Sequence, residues 1–164
     1  MKYFLITGLL LISLNSYSQE YYRAVGLRGG LTSGITYKQF LDDETAVEGI
    51  LSFKRGGIQI TVLHQIHEPA LFEFSDNLYF VYGYGGHFGY SFSKKFNFFF
   101  NKYYYEEDTF YPIIGMDAFL GLEYQIRDFP FVVSFDYKPF FEFSIPRFFK
   151  INLGDFAFSF KYTF

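Results

Sequence analysis

The nine residues Phe156–Phe164, FAFSFKYTF, decide the fold. Read at a period of two, Phe156, Phe158, Phe160, Tyr162 and Phe164 share one face of a strand. Ala157, Ser159, Lys161 and Thr163 share the other, because successive strand side chains point to opposite faces. In a water-soluble sandwich, five aromatic rings in a row need an opposing sheet to cover them; in a membrane strand, lipid covers them. The aromatic face continues to the last residue given, where soluble termini usually fray.

Composition points the same way. The chain holds 26 Phe and 16 Tyr, no Trp, and is 26% aromatic while only 50% hydrophobic overall. One soluble core of this size cannot hide so many rings, and beyond the leader no apolar run reaches the ~20 residues of a membrane helix. Rings facing lipid and gathered in interfacial girdles account for both facts.

Working back from the last strand, each segment alternates and is followed by turn chemistry. The expected strands are about 22–29, 35–40, 45–53, 58–67, 78–92, 112–126, 131–143 and 152–164. Lys54-Arg55-Gly56-Gly57 is a strong hairpin signal, since glycine supplies positive φ. In the fifth strand Phe80, Tyr82, Tyr84, Phe88 and Tyr90 oppose Val81, Gly83, Gly85, His87, Gly89 and Ser91, and small inward residues suit a narrow barrel. Pro139 removes a ladder donor and marks a bulge or the rim. Ser93–Tyr111 reads as the longest connection. The expected fold class is all-β, an eight-stranded antiparallel transmembrane β-barrel, eight being the smallest even closed number.

Met1–Ser18 reads as a cleaved signal peptide: Lys2 in the n-region, an apolar run from Tyr3 to Leu14, and Ser16-Tyr17-Ser18 before Gln19. Residues 19–164 are then one barrel domain. The leader carries one base and no acid, so the remainder is mildly acidic, and nothing proposes nucleic acid as a partner. With no Cys, neither disulfides nor thiolate metal chemistry is available.

The inward faces pool Arg28, Lys38, Glu48, His87, Asp117, Glu123, Asp136, Lys138, Glu142, Asp155 and Lys161. A catalytic cluster or an ion path is one reading. An eight-stranded interior is just filled by side chains, so a salt-bridged solid plug is the preferred one. His64 and His67, three apart on a strand, fall on opposite faces, which argues against a shared metal and for interfacial histidines. Glu106-Glu107-Asp108 reads as a solvated loop tip and Tyr103-Tyr104-Tyr105 as girdle. GYGGHFG lies within a strand and lacks the helix a dinucleotide loop needs. No cofactor and no metal are expected.

A last strand with alternating aromatics and a terminal Phe resembles the sorting signal of bacterial outer-membrane β-barrels. The whole mature chain resembles the small eight-stranded barrels typified by OmpX and the OmpA transmembrane domain, in the Phe/Tyr-rich, Trp-free style of Bacteroidetes. The resemblance implies an outer-membrane location in a Gram-negative envelope, and barrel assembly machinery that reads Phe156, Phe158, Phe160, Tyr162 and Phe164. It also implies contact with outer-membrane lipid and lipopolysaccharide, and a structural or surface-interaction role with a possible envelope protein partner at the outer loops. Loops 32–34, 54–57, 93–111 and 144–151 then face outside, and 41–44, 68–77 and 127–130 the periplasm. No wall-binding domain follows Phe164 in the chain as given, so tethering to the wall is not expected of it. Three other readings remain: a lipid A-modifying barrel enzyme, a soluble periplasmic β-barrel binding protein, and a small transport pore. Barrel deacylases carry a His-x-Ser pair; here Gly89 stands two residues after His87, and Ser91 stands four after it. The expectation is therefore not an enzyme, with His87 the residue to test.

Overall fold

The computed structural model describes residues 21–54, 57–70, 77–98, 101–144 and 149–164, with side chains at all of these except 54, 91–109 and 111. The expected leader and the loop residues Arg55, Asp76 and Arg147 lie outside the described residues. Ten strands follow in order: β1 (Arg23–Gly30), β2 (Gly34–Phe40), β3 (Thr45–Lys54), β4 (Gly57–Pro69), β5 (Leu78–Phe98), β6 (Asn101–Gln125), β7 (Phe131–Tyr137), β8 (Phe140–Ser144), β9 (Lys150–Asn152) and β10 (Phe156–Thr163). All pairings are antiparallel. Strands β1 to β7 and β10 close into an eight-stranded barrel, β5 joining β6 and β10 joining β1, while β8 and β9 stand outside the ring.

The register sets the strand tilt. The pairs Gly30↔Ala157, Ala157↔Asp136, Asp136↔Gly121, Gly121↔Val81 and Val81↔His67 run most of the way round. Extending the β3–β4, β2–β3 and β1–β2 registers completes the circuit roughly ten residues from its start, the stagger of an eight-stranded barrel tilted ~35–45°.

Two expected strands are each broken. The seventh is β7 plus β8, interrupted at Lys138-Pro139 because proline has no N–H to donate. The register against β6 is unbroken: Leu120 pairs with Tyr137, Asp117 with Phe140, and Ala118 N–H donates to Pro139 O at 2.9 Å between them. The eighth is β9 plus β10. Here Lys138 N–H donates to Asp155 O at 2.8 Å while Phe140 pairs with Asn152, so Leu153-Gly154-Asp155 carries one extra residue, a bulge.

One expectation is corrected. Ser93–Tyr111 is not a loop: β5 and β6 stay paired, across an irregularity between Ser93 and Lys95, as far as Phe98↔Asn101. The Lys, Asn and acidic residues that give this segment the polarity of a loop are interspersed with Phe and Tyr, which are strand formers, and a two-stranded ladder satisfies backbone groups that a loop leaves to water. The other strand bounds lie within two residues of the expected ones.

The polarity of the barrel is inverted. Twenty-two of the described buried residues are polar or charged and ten are apolar, while large apolar side chains stand exposed on every strand of the ring. One small apolar layer, Ile50, Leu63, Val81 and Phe119, crosses the interior. Phe119→Ala should leave an uncollapsed void there and cost about 3–5 kcal/mol, read by urea unfolding; a loss below about 1 kcal/mol would mean that this layer does not support the ring.

Candidate functional site

The interior is where the buried charged groups of the described structure converge, and the strand pattern puts them there. Alternation turns Arg28 of β1, Lys38 of β2, Glu48 of β3, His87 of β5, Asp117 and Glu123 of β6, Asp136 of β7 and Lys161 of β10 inward, with Lys138 and Glu142 beside Pro139. All ten are buried, none more than 8% exposed. Asp155, buried at 0%, joins them from the bulge.

They form two groups. Toward the N-terminal mouth, Lys38 and Lys161 alternate with Glu48 and Glu123: Lys38 Nζ lies 2.7 Å from Glu123 and 3.8 Å from Glu48, and Lys161 Nζ lies 3.0 Å from Glu48 and 3.3 Å from Glu123. Gln65 Nε2 donates to Glu48 at 2.6 Å, as does the Thr36 hydroxyl, and the Tyr21 hydroxyl donates to Glu123. Toward the opposite mouth runs a chain of alternating charge. Arg28 bonds Asp136 and lies 3.7 Å from Asp155; Lys138 lies 3.1 Å from Asp155 and 2.8 Å from Asp117. His87 Nδ1 is 2.7 Å from Asp117 and its Nε2 is 3.7 Å from Glu142, which Lys150 reaches at 3.0 Å.

Each buried ammonium thus has two carboxylates within 4 Å, which is what desolvated charge requires. The six buried carboxylates outnumber the four buried cations Arg28, Lys38, Lys138 and Lys161. Lys150, half-exposed, and the imidazole of His87 sit where the excess lies. The His87 ring fits only because residue 115 is glycine: a Cβ there would meet His87 Cε1 at 2.3 Å and Phe141 O at 2.3 Å.

His87 and Asp117 have the imidazole–carboxylate geometry of a general base, but the dyad lies in the interior, edge-on to Phe140 at 5.2 Å. The outward-facing neighbours are Phe88 and Tyr90, and the position two residues on is the buried Gly89. The side chain of Ser91 and those of Tyr103–Tyr105 and Glu106–Asp108 lie outside the description. Among the described residues no three His, Asp or Glu side chains are arranged to hold a metal.

One residue was misread. His67, expected at an interface, is 4% exposed inside the barrel, with Nε2 3.2 Å from Lys38 Nζ and 3.6 Å from Glu123. The signal was present: Gln59, Thr61, Gln65 and His67 share one parity, and the first three already look inward. His64 faces outward and stacks on Tyr84 at 5.6 Å. Tyr21, ahead of β1, was not singled out at all.

The class is therefore a closed eight-stranded antiparallel β-barrel with an ion-paired interior and an apolar exterior. No protein-family model, curated protein or solved structure matches the chain.

Breaking the network from inside should cost far more than from its rim. Lys138→Met takes the only ammonium from Asp117 and the nearer of two cations from Asp155, and should destabilise by about 3–5 kcal/mol. Lys150→Met, at a side chain 49% exposed, should cost less than about 1 kcal/mol. Equal losses in urea titrations would show that the buried pairs do not hold the barrel.

Proposed function

We propose that the chain is a small outer-membrane β-barrel of a bacterial envelope with a side-chain-filled interior. Its role is structural or surface-interacting rather than that of a solute pore. One observation carries the reading: the inversion of polarity, with Lys38, Lys138 and Lys161 sealed inside while Leu27, Ile60, Phe88, Ile114, Phe158 and their like stand exposed outside. In water an apolar belt that encircles the molecule drives association; in a bilayer it is the surface the solvent requires, and a closed ring leaves no backbone donor facing lipid.

The charges fall where this reading needs them. The described exposed charged side chains Arg23, Asp42, Asp43, Glu44, Glu68, Arg127 and Asp128 sit at one end of the barrel and Lys150 toward the other, with the belt between. Outer-membrane lipid and lipopolysaccharide would contact the belt, the assembly machinery would read the aromatic face of β10, and an envelope protein would meet the outer loops. The tall β5–β6 hairpin, rising past the last β4 pair at Ser91, is then the feature most displayed to the outside.

Two measurements test this. The outer-membrane fraction should yield a band that shifts on boiling in SDS and weakens when Phe164 is deleted; an unshifted band among soluble proteins would overturn the reading. Phe158→Arg, at a site 66% exposed, should cost about 2–4 kcal/mol of folding free energy in lipid vesicles if the belt faces hydrocarbon. The same exposed substitution in a water-soluble protein stays within about 0.5 kcal/mol, so a neutral outcome counts against a bilayer.

A further inference from the structure

The N-terminal mouth holds a pocket of about 40 Å³ that the ion-paired plug leaves unused. A water needs about 10–15 Å³ on this measure, so the space holds roughly three to four waters, about 90–120 Å³ of liquid volume, which is room for one small organic solute. Four aromatic rings line it: Tyr21 and Tyr22 ahead of β1, Phe40 at the end of β2, and Tyr79 of β5. Phe40 ties the wall together, edge-on to Tyr21 at 5.1 Å and tilted against His67 at 4.7 Å.

Two carboxylates of the β2–β3 turn, Asp42 and Asp43, stand at the rim. Asp42 is pinned by N–H groups of Glu44 at 3.0 Å and Thr45 at 2.7 Å. Hydrogen bonding from Thr45 and Glu44 holds its carboxyl below the usual carboxylate range, so it stays an anion. Around the same mouth the described exposed residues include five acids, Asp42, Asp43, Glu44, Glu68 and Asp128, against Arg23 and Arg127. A field of that sign gathers cations.

An independent feature lies deeper. His67, with its side chain 3% exposed, lines the pocket, and its Nδ1 has no hydrogen-bond partner among the described residues. Nε2 lies nearer to Lys38 Nζ, an ammonium that can only donate, at 3.2 Å than to the Glu123 carboxylate at 3.6 Å, and this geometry favours the tautomer with the ring hydrogen on Nδ1. A buried donor is therefore left without an acceptor, at a cost that a bound acceptor would remove.

Aromatic walls and rim carboxylates suit an ammonium group, and the buried N–H suits one oxygen. We propose that this mouth binds a small organic ammonium ion carrying one hydrogen-bond acceptor, of the size and chemistry of choline. The ammonium sits among Tyr21, Tyr22, Phe40 and Tyr79 beside Asp42 and Asp43, and the oxygen accepts from His67 Nδ1.

The test is isothermal titration of the full chain folded in octyl glucoside, a detergent with no ammonium. Choline should bind saturably. Dimethylbutanol, its uncharged carbon isostere, should bind at least about tenfold more weakly, and tetramethylammonium, which lacks the oxygen, several-fold more weakly. Tyr22→Ala and Asp43→Asn, both off the strands, should each weaken choline about fivefold or more while leaving the boiling-dependent gel shift intact. Glycerophosphocholine in place of choline separates the sources: tighter binding assigns the site to a lipid headgroup, weaker binding to a free solute. No saturable heat with choline, equal binding of the uncharged isostere, or indifference to both substitutions would overturn the proposal. The pocket does not depend on the envelope reading. A chain found to be soluble can be titrated without detergent, so the two ideas fail separately.

Discussion

Taking a lysine ammonium out of water costs several kcal/mol unless carboxylates meet it, and this barrel does so three times, at Lys38, Lys138 and Lys161. Everything else in the structure is arranged around that constraint. The partners come from far along the chain: Lys38 meets Glu123 eighty-five residues away, and Arg28 meets Asp136 at a separation of 108. Such pairs exist only if the ring closes in one register. A slip of one residue on any strand would turn its charges outward into the apolar belt and its rings inward among ions. Ion pairing of this kind adds little net stability over a well-packed apolar core. Its effect is to make wrong registers prohibitive.

The exterior obeys the complementary rule. On β7 and β10 the outward rings interlock: Phe131 stacks on Phe160 at 5.0 Å, Phe135 lies 4.7 Å from Phe158, and Tyr137 stacks on Phe156 at 4.7 Å. These are cross-strand neighbours or diagonals in the β7–β10 ladder, so each contact also reports the register. The aromatic stripe and the buried ions therefore specify the same alignment from opposite faces of one sheet.

Much of this was legible in the residues because both faces carry unambiguous chemistry. Alternation alone put Arg28, Lys38, Glu48, Asp117, Glu123, Asp136 and Lys161 on inward positions, and the count of eight followed from turn signals. Two things were not legible. Which cation meets which carboxylate is a property of ring closure, and no spacing in a single chain encodes it. The β5–β6 extension was hidden because Lys94-Lys95 and Asn101–Asp108 have the polarity of a loop, whereas a ladder beyond the ring tolerates polar residues on both faces. His67, by contrast, shares the inward parity of Gln59, Thr61 and Gln65 on β4, so its place inside the barrel was written in the alternation.

The break at Leu153-Gly154-Asp155 shows how fold and interior chemistry constrain each other. Along β10 the buried positions are odd-numbered: Ala157, Ser159, Lys161 and Thr163. On β9, Lys150 pairs with the inward Glu142 and Asn152 with the inward Phe140, so the positions in phase with the interior are even. An unbroken strand could not serve both: continuing the β10 phase would point Lys150 away from Glu142, and continuing the β9 phase would turn Asp155 away from Arg28 and Lys138. One extra residue reverses the parity. With it, Lys150 Nζ reaches Glu142 and Asp155 sits between two cations while also accepting from the Thr32 hydroxyl at 2.7 Å. The bend is held by Gly154 N–H, which donates to Asn152 Oδ1 at 2.9 Å. The bulge is thus the local deformation that lets one strand supply charge to two levels of the interior.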